Sequence, residues 1–349
     1  MSRRFSAIFL IISINLAFPS MTKGQIIKLP PSPLDTNYIR NYYKDLVVRI
    51  YGSNKYNTFK IIDNRYDMHI NYRPYTQKNI GVGFNYKFIG LNIGYAFPIF
   101  NNDTAKYGRT HYEDLQLHLY LHKFLIDFYT QFYRGFYLVD PASALNGQQI
   151  GNDYRIRPDI HTNEITVIFQ YNFNYKRFSY RAAYVQDEYQ KKSAGSFIAG
   201  GGISHIGITA DSSFLPNDIK YPGFFNGNPY NQTSINSITA NGGYAYTYVY
   251  KQRYFATASI YGGLGFNYTT LSNTLAGTTD GRLGPEFNAS LHFAIGYNSN
   301  EYFVGIHYMG LITESNCFDQ HRWQQVNSGN FRISVAKRFK LKRKITNKI

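Results

Sequence analysis

The sequence predicts an all-β protein, an antiparallel transmembrane up-and-down β-barrel of about twelve strands with long extracellular loops and short periplasmic turns. Three observations carry this expectation. Apolar and polar residues alternate with period two, as in LQLHLYLH from Leu115 to His122, an order that gives a strand one apolar face but would scatter leucine around a helix. Such blocks recur along the chain with no helical pattern to cover their apolar sides, and closure into a barrel removes the edges of an open sheet. The 349 residues include 34 Tyr, 27 Phe and 29 Gly, a composition suited to a β wall with an amphipathic aromatic boundary.

The elements follow in chain order. Residues 1–24 read as a cleaved signal peptide: Arg3 and Arg4 precede an apolar stretch from Phe5 to Phe18, and Thr22 and Gly24 stand before a cut at Gln25. That apolar stretch is shorter than the roughly 20 residues a spanning helix needs. Residues 25–65, including DLVVRIY and TFKIID, are expected to form an N-terminal periplasmic segment or an extra hairpin. The barrel is placed at 66–339. Its expected strands are 67–73, 80–88, 91–98, 113–122, 124–135, 163–174, 178–188, 235–249, 254–268, 286–298, 302–313 and 329–339. The segment GSFIAGGGISHIGITA at 195–210 is strand-like but unplaced. As one spanning strand it breaks the up-down parity, and split at Gly200–Gly202 it raises the total to about fourteen. Residues 340–349, KLKRKITNKI, form a basic tail.

Connections set the orientation. YKFIGL, HKFLID, YKRFSY, KQRYFA and NSNEYFV read as tight turns that place an aromatic at the inner membrane boundary. Between them stand long polar connections, around LVDPASALNGQQIGNDYRIRPD, NDIKYPGFFNGNPYNQ and TESNCFDQHRWQQVNSG.

Several stretches carry a family resemblance: YYKDLVVRIYGSNKY from Tyr42, INYRP from Ile70, GVGFNYKFIGLNIGYAFP from Gly81, KYGRTHYEDLQ from Lys106, QFYRGFYL from Gln131 and QKKSAGSF from Gln190. In these the chain resembles an uncharacterised outer-membrane family of Bacteroides-type bacteria, domain of unknown function 4421. The resemblance implies a signal-bearing barrel in the outer membrane of a Gram-negative cell. It implies no activity and transfers no functional residue.

The polar halves of the strands supply the candidate lumen residues. They are Lys87, His118, His122, Asp127, Gln131 and Gln170 in the first half of the chain and His292, Arg332 and Arg338 in the second. Formal net charge is +16, of which Arg3, Arg4 and Lys23 leave with the signal peptide. A mildly cationic lumen would favour small anions. The expected function is therefore a narrow passive pore, with a non-conducting scaffold that docks an unidentified partner through its loops or tail as the alternative. A lipid-modifying enzyme is a second alternative.

The chemistry for an enzyme or a metal is thin, so no enzymatic activity is expected. His118 and His122 stand four residues apart on a strand, about 13 Å, too far to share a metal directly. Ser290 and His292 share a face but lack a visible orienting carboxylate, and Ser204 and His205 are only sequence neighbours. The glycines of GGGISHIG and YGGLGFNY precede no helix and no Lys-Ser/Thr pair, so they read as places where the wall bends. The single cysteine, Cys317, forms no internal disulfide. No cofactor, metal or nucleic acid is expected; the expected partners are outer-membrane lipid and, during insertion, the barrel-assembly machinery.

Overall fold

The computed structural model describes residues 34–86, 89–96, 103–139, 155–215, 230–317, 319 and 321–341. The signal peptide and its cut, Lys87, most of two long connections and the end of the basic tail lie outside the described residues.

The wall is a sheet of antiparallel strands. In chain order they are β2 (Asp45–Asp63), β3 (Met68–Arg73), β4 (Lys78–Tyr86), β5 (Ile89–Ala96), β6 (His111–Tyr120), β7 (Phe124–Leu138), β8 (Ile156–Asn172), β10 (Ala194–Thr209), β11 (Gln232–Tyr250), β12 (Tyr254–Asn273), β13 (Thr278–Asn298), β14 (Tyr302–Asn316) and β15 (Arg322–Lys340). Two short strands, β1 (Ile39–Asn41) and β9 (Glu188–Gln190), pair with each other outside this sheet. Among the described residues the helices are single turns, α1 (Thr104–Tyr107) and α2 (Tyr180–Tyr184).

Ten strands among the described residues close a ring in the order β2, β15, β14, β13, β12, β11, β10, β8, β7, β3. Three more lie outside it: β4 pairs with β2, β5 with β4, and β6 with β7. Closure is made by β15 on β2, a ladder from Lys340↔Asp45 to Arg322↔Asp63. Period two persists along the strands. On β13 the exposed side chains are Phe287, Leu291, Phe293 and Ile295, while Glu286, Ser290, His292 and Ala294 are buried.

Three expectations are corrected here. The wall begins at Asp45 rather than at 66, because DLVVRIYGSNKYNTFKIID alternates through 19 residues and supplies the closing partner of the last strand. Residues 195–210 lie almost entirely within one unbroken strand. The register runs straight through Gly200–Gly202 on both neighbours, and a Cβ at Gly200 would fall 1.9 Å from the Phe169 carbonyl oxygen, so glycine keeps the ladders close instead of splitting the strand. Parity is kept because 178–188 leaves the wall: it forms α2 and part of β9, buried inside the barrel.

The connections also differ from the expected alternation. Lys251–Arg253 and Ser299–Glu301 are tight turns at one end, called here the short-turn end, but YKRFSY there leads inward. At the other end, short turns at Asn64–Asp67 and Thr274–Gly277 stand among the longer connections, since β11, β12 and β13 run for 19, 20 and 21 residues. Among the described residues one bulge interrupts the wall, between Arg134 and Phe136 on β7, where Gly135 takes φ +90° and its carbonyl accepts from the Thr110 hydroxyl at 2.7 Å.

Candidate functional site in the barrel interior

The segment Ser179–Gln190 is a plug, and its local sequence explains why it folds off the wall. Ser179 caps α2, its hydroxyl accepting from the Ala182 amide at 3.1 Å, and Ala182 and Ala183 favour a helical turn. One turn of helix leaves its carbonyls without intrahelical partners. Side chains from the wall supply them. Asn298 Nδ2 donates to Ala182 O at 3.4 Å, His307 Nε2 to Ala183 O at 2.9 Å and Arg332 Nη2 to Tyr184 O at 3.3 Å. Val185 O accepts from Arg49 Nη2 at 2.9 Å and Asn85 Nδ2 at 2.7 Å, and Gln186 O from Arg338 Nε at 2.9 Å. These donors come from β2, β4, β13, β14 and β15, so the plug is tied across the interior.

The plug is also tied to itself and to the chain's beginning. Arg181 is paired with Asp187 and donates to Tyr120 O at 2.7 Å, while Glu188 accepts from Ser179 Oγ at 2.5 Å and meets His122 Nε2 at 2.8 Å. β9 then pairs with β1, and Arg338 stacks over Tyr42 at 4.5 Å, so residues 39–42 lie across the short-turn end.

Toward the other end the interior turns apolar. Phe59, Ile70, Tyr72, Phe136, Leu138 and Ile208 are fully buried in one cluster with Phe214, whose ring meets Phe59 edge-on at 5.6 Å. Between plug and cluster lies a polar layer. Asp114 accepts from Lys55 at 2.9 Å, Gln131 at 2.9 Å and Tyr133 at 2.6 Å, and His118 meets Asp127 at 2.6 Å. Buried charges are tolerable in such a layer because each finds a donor or counter-charge.

All the described lumen candidates are buried or partly buried on the inner side. His118 and Asp127 pair with each other; Gln131 joins the Asp114 cluster; His122, Arg332 and Arg338 hold the plug; Gln170 is fully buried. His292 bonds Tyr261 at 2.8 Å and Ser290 at 3.2 Å, so a phenol stands where a hydrolase would place a carboxylate. Ser204 bonds Ser237 at 2.5 Å while His205 bonds Asn236 at 2.8 Å at the surface, which separates that pair. Sequence reasoning missed Arg49 and Lys55, although Val47, Arg49, Tyr51, Ser53 and Lys55 occupy alternate positions in the segment read as a periplasmic segment or an extra hairpin. It missed the plug altogether.

The closed wall and the tied inner segment define a plugged β-barrel. The chain belongs to the family described as domain of unknown function (DUF4421), which matches residues 33–339. No curated protein matches the chain. Among solved structures it is similar to the outer membrane protease OmpT of Escherichia coli, with 8% identity, TM-score 0.38 and coverage of 86% of this chain and 98% of that one. It is also similar to the toluene transporter TodX of P. putida, with 9% identity, TM-score 0.24 and coverage of 85% and 91%. Likeness this loose transfers no activity.

Proposed function

We propose that the protein is an outer-membrane β-barrel that does not conduct along its axis and serves as a rigid scaffold. The membrane setting is supported by the outward apolar belt, including Leu115, Leu117, Phe169, Ile238, Leu264 and Phe293, together with the signal-like N-terminus. The observation that carries the non-conducting reading is the plug, whose backbone carbonyls accept from side chains of five wall strands. Of the cations that favoured an anion pore, Lys87, Arg332 and Arg338, the two described ones, Arg332 and Arg338, donate to plug carbonyls. Planar-bilayer recordings of the refolded, heat-modifiable protein should therefore be silent, and deletion of 179–190 should create conductance. Steady, anion-selective current from the intact protein would restore the pore.

A further inference from the structure

Among the described residues, two neighbouring strands of the wall share no ladder: there β5 is hydrogen-bonded only to β4, and β6 only to β7, while above them β3 meets β7 through Tyr72↔Leu138 and Arg73↔Tyr137. The facing edges of β5 and β6 thus frame a window. Behind it are two cavities of about 300 and 190 Å³ that share Asn92, Gln116, His118, Met309 and Arg332 in their linings. Leu115 also lines the first and Leu117 and Leu119 the second, although these leucines are 51%, 54% and 41% exposed on the outer face. The interior therefore opens sideways, along the apolar surface.

The inner wall of the same space is polar and incompletely satisfied. Arg49 Nε, Arg332 Nε and His307 Nδ1 are buried without a hydrogen-bond partner among the described residues, and Arg49 and His307 are only 2% and 1% exposed. The two lining carboxylates are each paired with a cation of the same lining, Asp114 with Lys55 and Asp187 with Arg181. Two guanidiniums thus face the space with no carboxylate of their own.

We propose that the β5–β6 window admits a single-chain amphiphile with a carboxylate head group, the head held by Arg49 and Arg332 and the chain lying against Leu115, Leu117 and Leu119. A planar monoanion suits the guanidinium fork. The volume is at the small end for a ligand site, enough for the head and the first carbons, with the remaining chain in the membrane. The inference rests on the wall facing lipid, not on the barrel being silent.

The test is equilibrium dialysis of labelled dodecanoate against the full chain purified in a maltoside detergent. Saturable binding is expected, with dodecanol competing far less well than unlabelled dodecanoate and acetate not competing. Arg332→Gln should weaken binding about tenfold, as for loss of a charge-assisted bond. Ser53→Trp, which fills the first cavity without touching a plug contact, should abolish it while heat-modifiability is retained. Unsaturable binding, dodecanol competing equally, or both folded variants binding like the parent would overturn the proposal. So would protection of the β5 and β6 edges by an added peptide strand in place of dodecanoate.

Discussion

Arg338 matters to this molecule as a donor more than as a charge. Its guanidinium reaches Gln186 O at 2.9 Å, Ser299 O at 2.5 Å, Glu188 O at 3.3 Å and Asn298 Oδ1 at 2.9 Å, a fan that a lysine ammonium cannot reproduce. Arg338→Ala should cost roughly 3 kcal/mol because buried carbonyls are left unpaired, and Arg338→Lys should recover little of it. Lys337, one position along, faces outward over Tyr302 and Phe339, each at 5.2 Å, and its replacement by Ala should cost below about 1 kcal/mol. Urea titration of the heat-modifiable form measures all three, and equal losses at 337 and 338 would refute the assignment. Period two in FRISVAKRF revealed that the two side chains part company at the wall. It held no information on the plug carbonyls that Arg338 grips, because Gln186 O and Glu188 O lie 152 and 150 residues earlier in a segment of different geometry.

At the level of elements, alternation identifies strands well and fails where another short-range rule competes with it. Phe178, Tyr180, Ala182 and Tyr184 alternate like a wall strand, yet the Ser179 cap and two alanines turn the segment into α2, and its aromatics are buried among the barrel's inner residues. The reverse holds for 195–210, where three successive glycines suggest a break but the strand runs on, and Gly200 serves the close approach of Phe169. LQLHLYLH kept its promise: the leucines are exposed and Gln116, His118 and Tyr120 face in. Leu119→Arg should therefore impair membrane insertion by roughly 2 to 4 kcal/mol, whereas His118→Arg keeps a cation beside Asp127 and should insert nearly normally. Assembly yield into vesicles, read as the heat-modifiable fraction, decides it; equal yields would mean that this face does not meet lipid.

For the whole molecule, closure was legible because the sequence offered no helical pattern to cover the apolar faces, but how the sheet closes was not. Ladder partners depend on contacts between distant segments, and the pairing of β2 with β15 joins the two ends of the chain. The resulting wall is unequal. Most ring strands are paired along both edges, as β12 is by β11 and β13, whereas β5 and β6 are each paired along one. Amides that lack a neighbour on one side open at lower free energy than those in a doubly paired strand. Hydrogen exchange followed by mass spectrometry in detergent should thus show 89–96 and 111–120 exchanging well before 255–268 and 288–297, with 194–209 among the slow segments. Addition of dodecanoate should slow the first two segments selectively, since its head and chain would occupy the gap they frame. Uniform slow exchange around the whole wall would mean that β5 and β6 pair in solution, which would close the window and leave the interior without a lateral entrance.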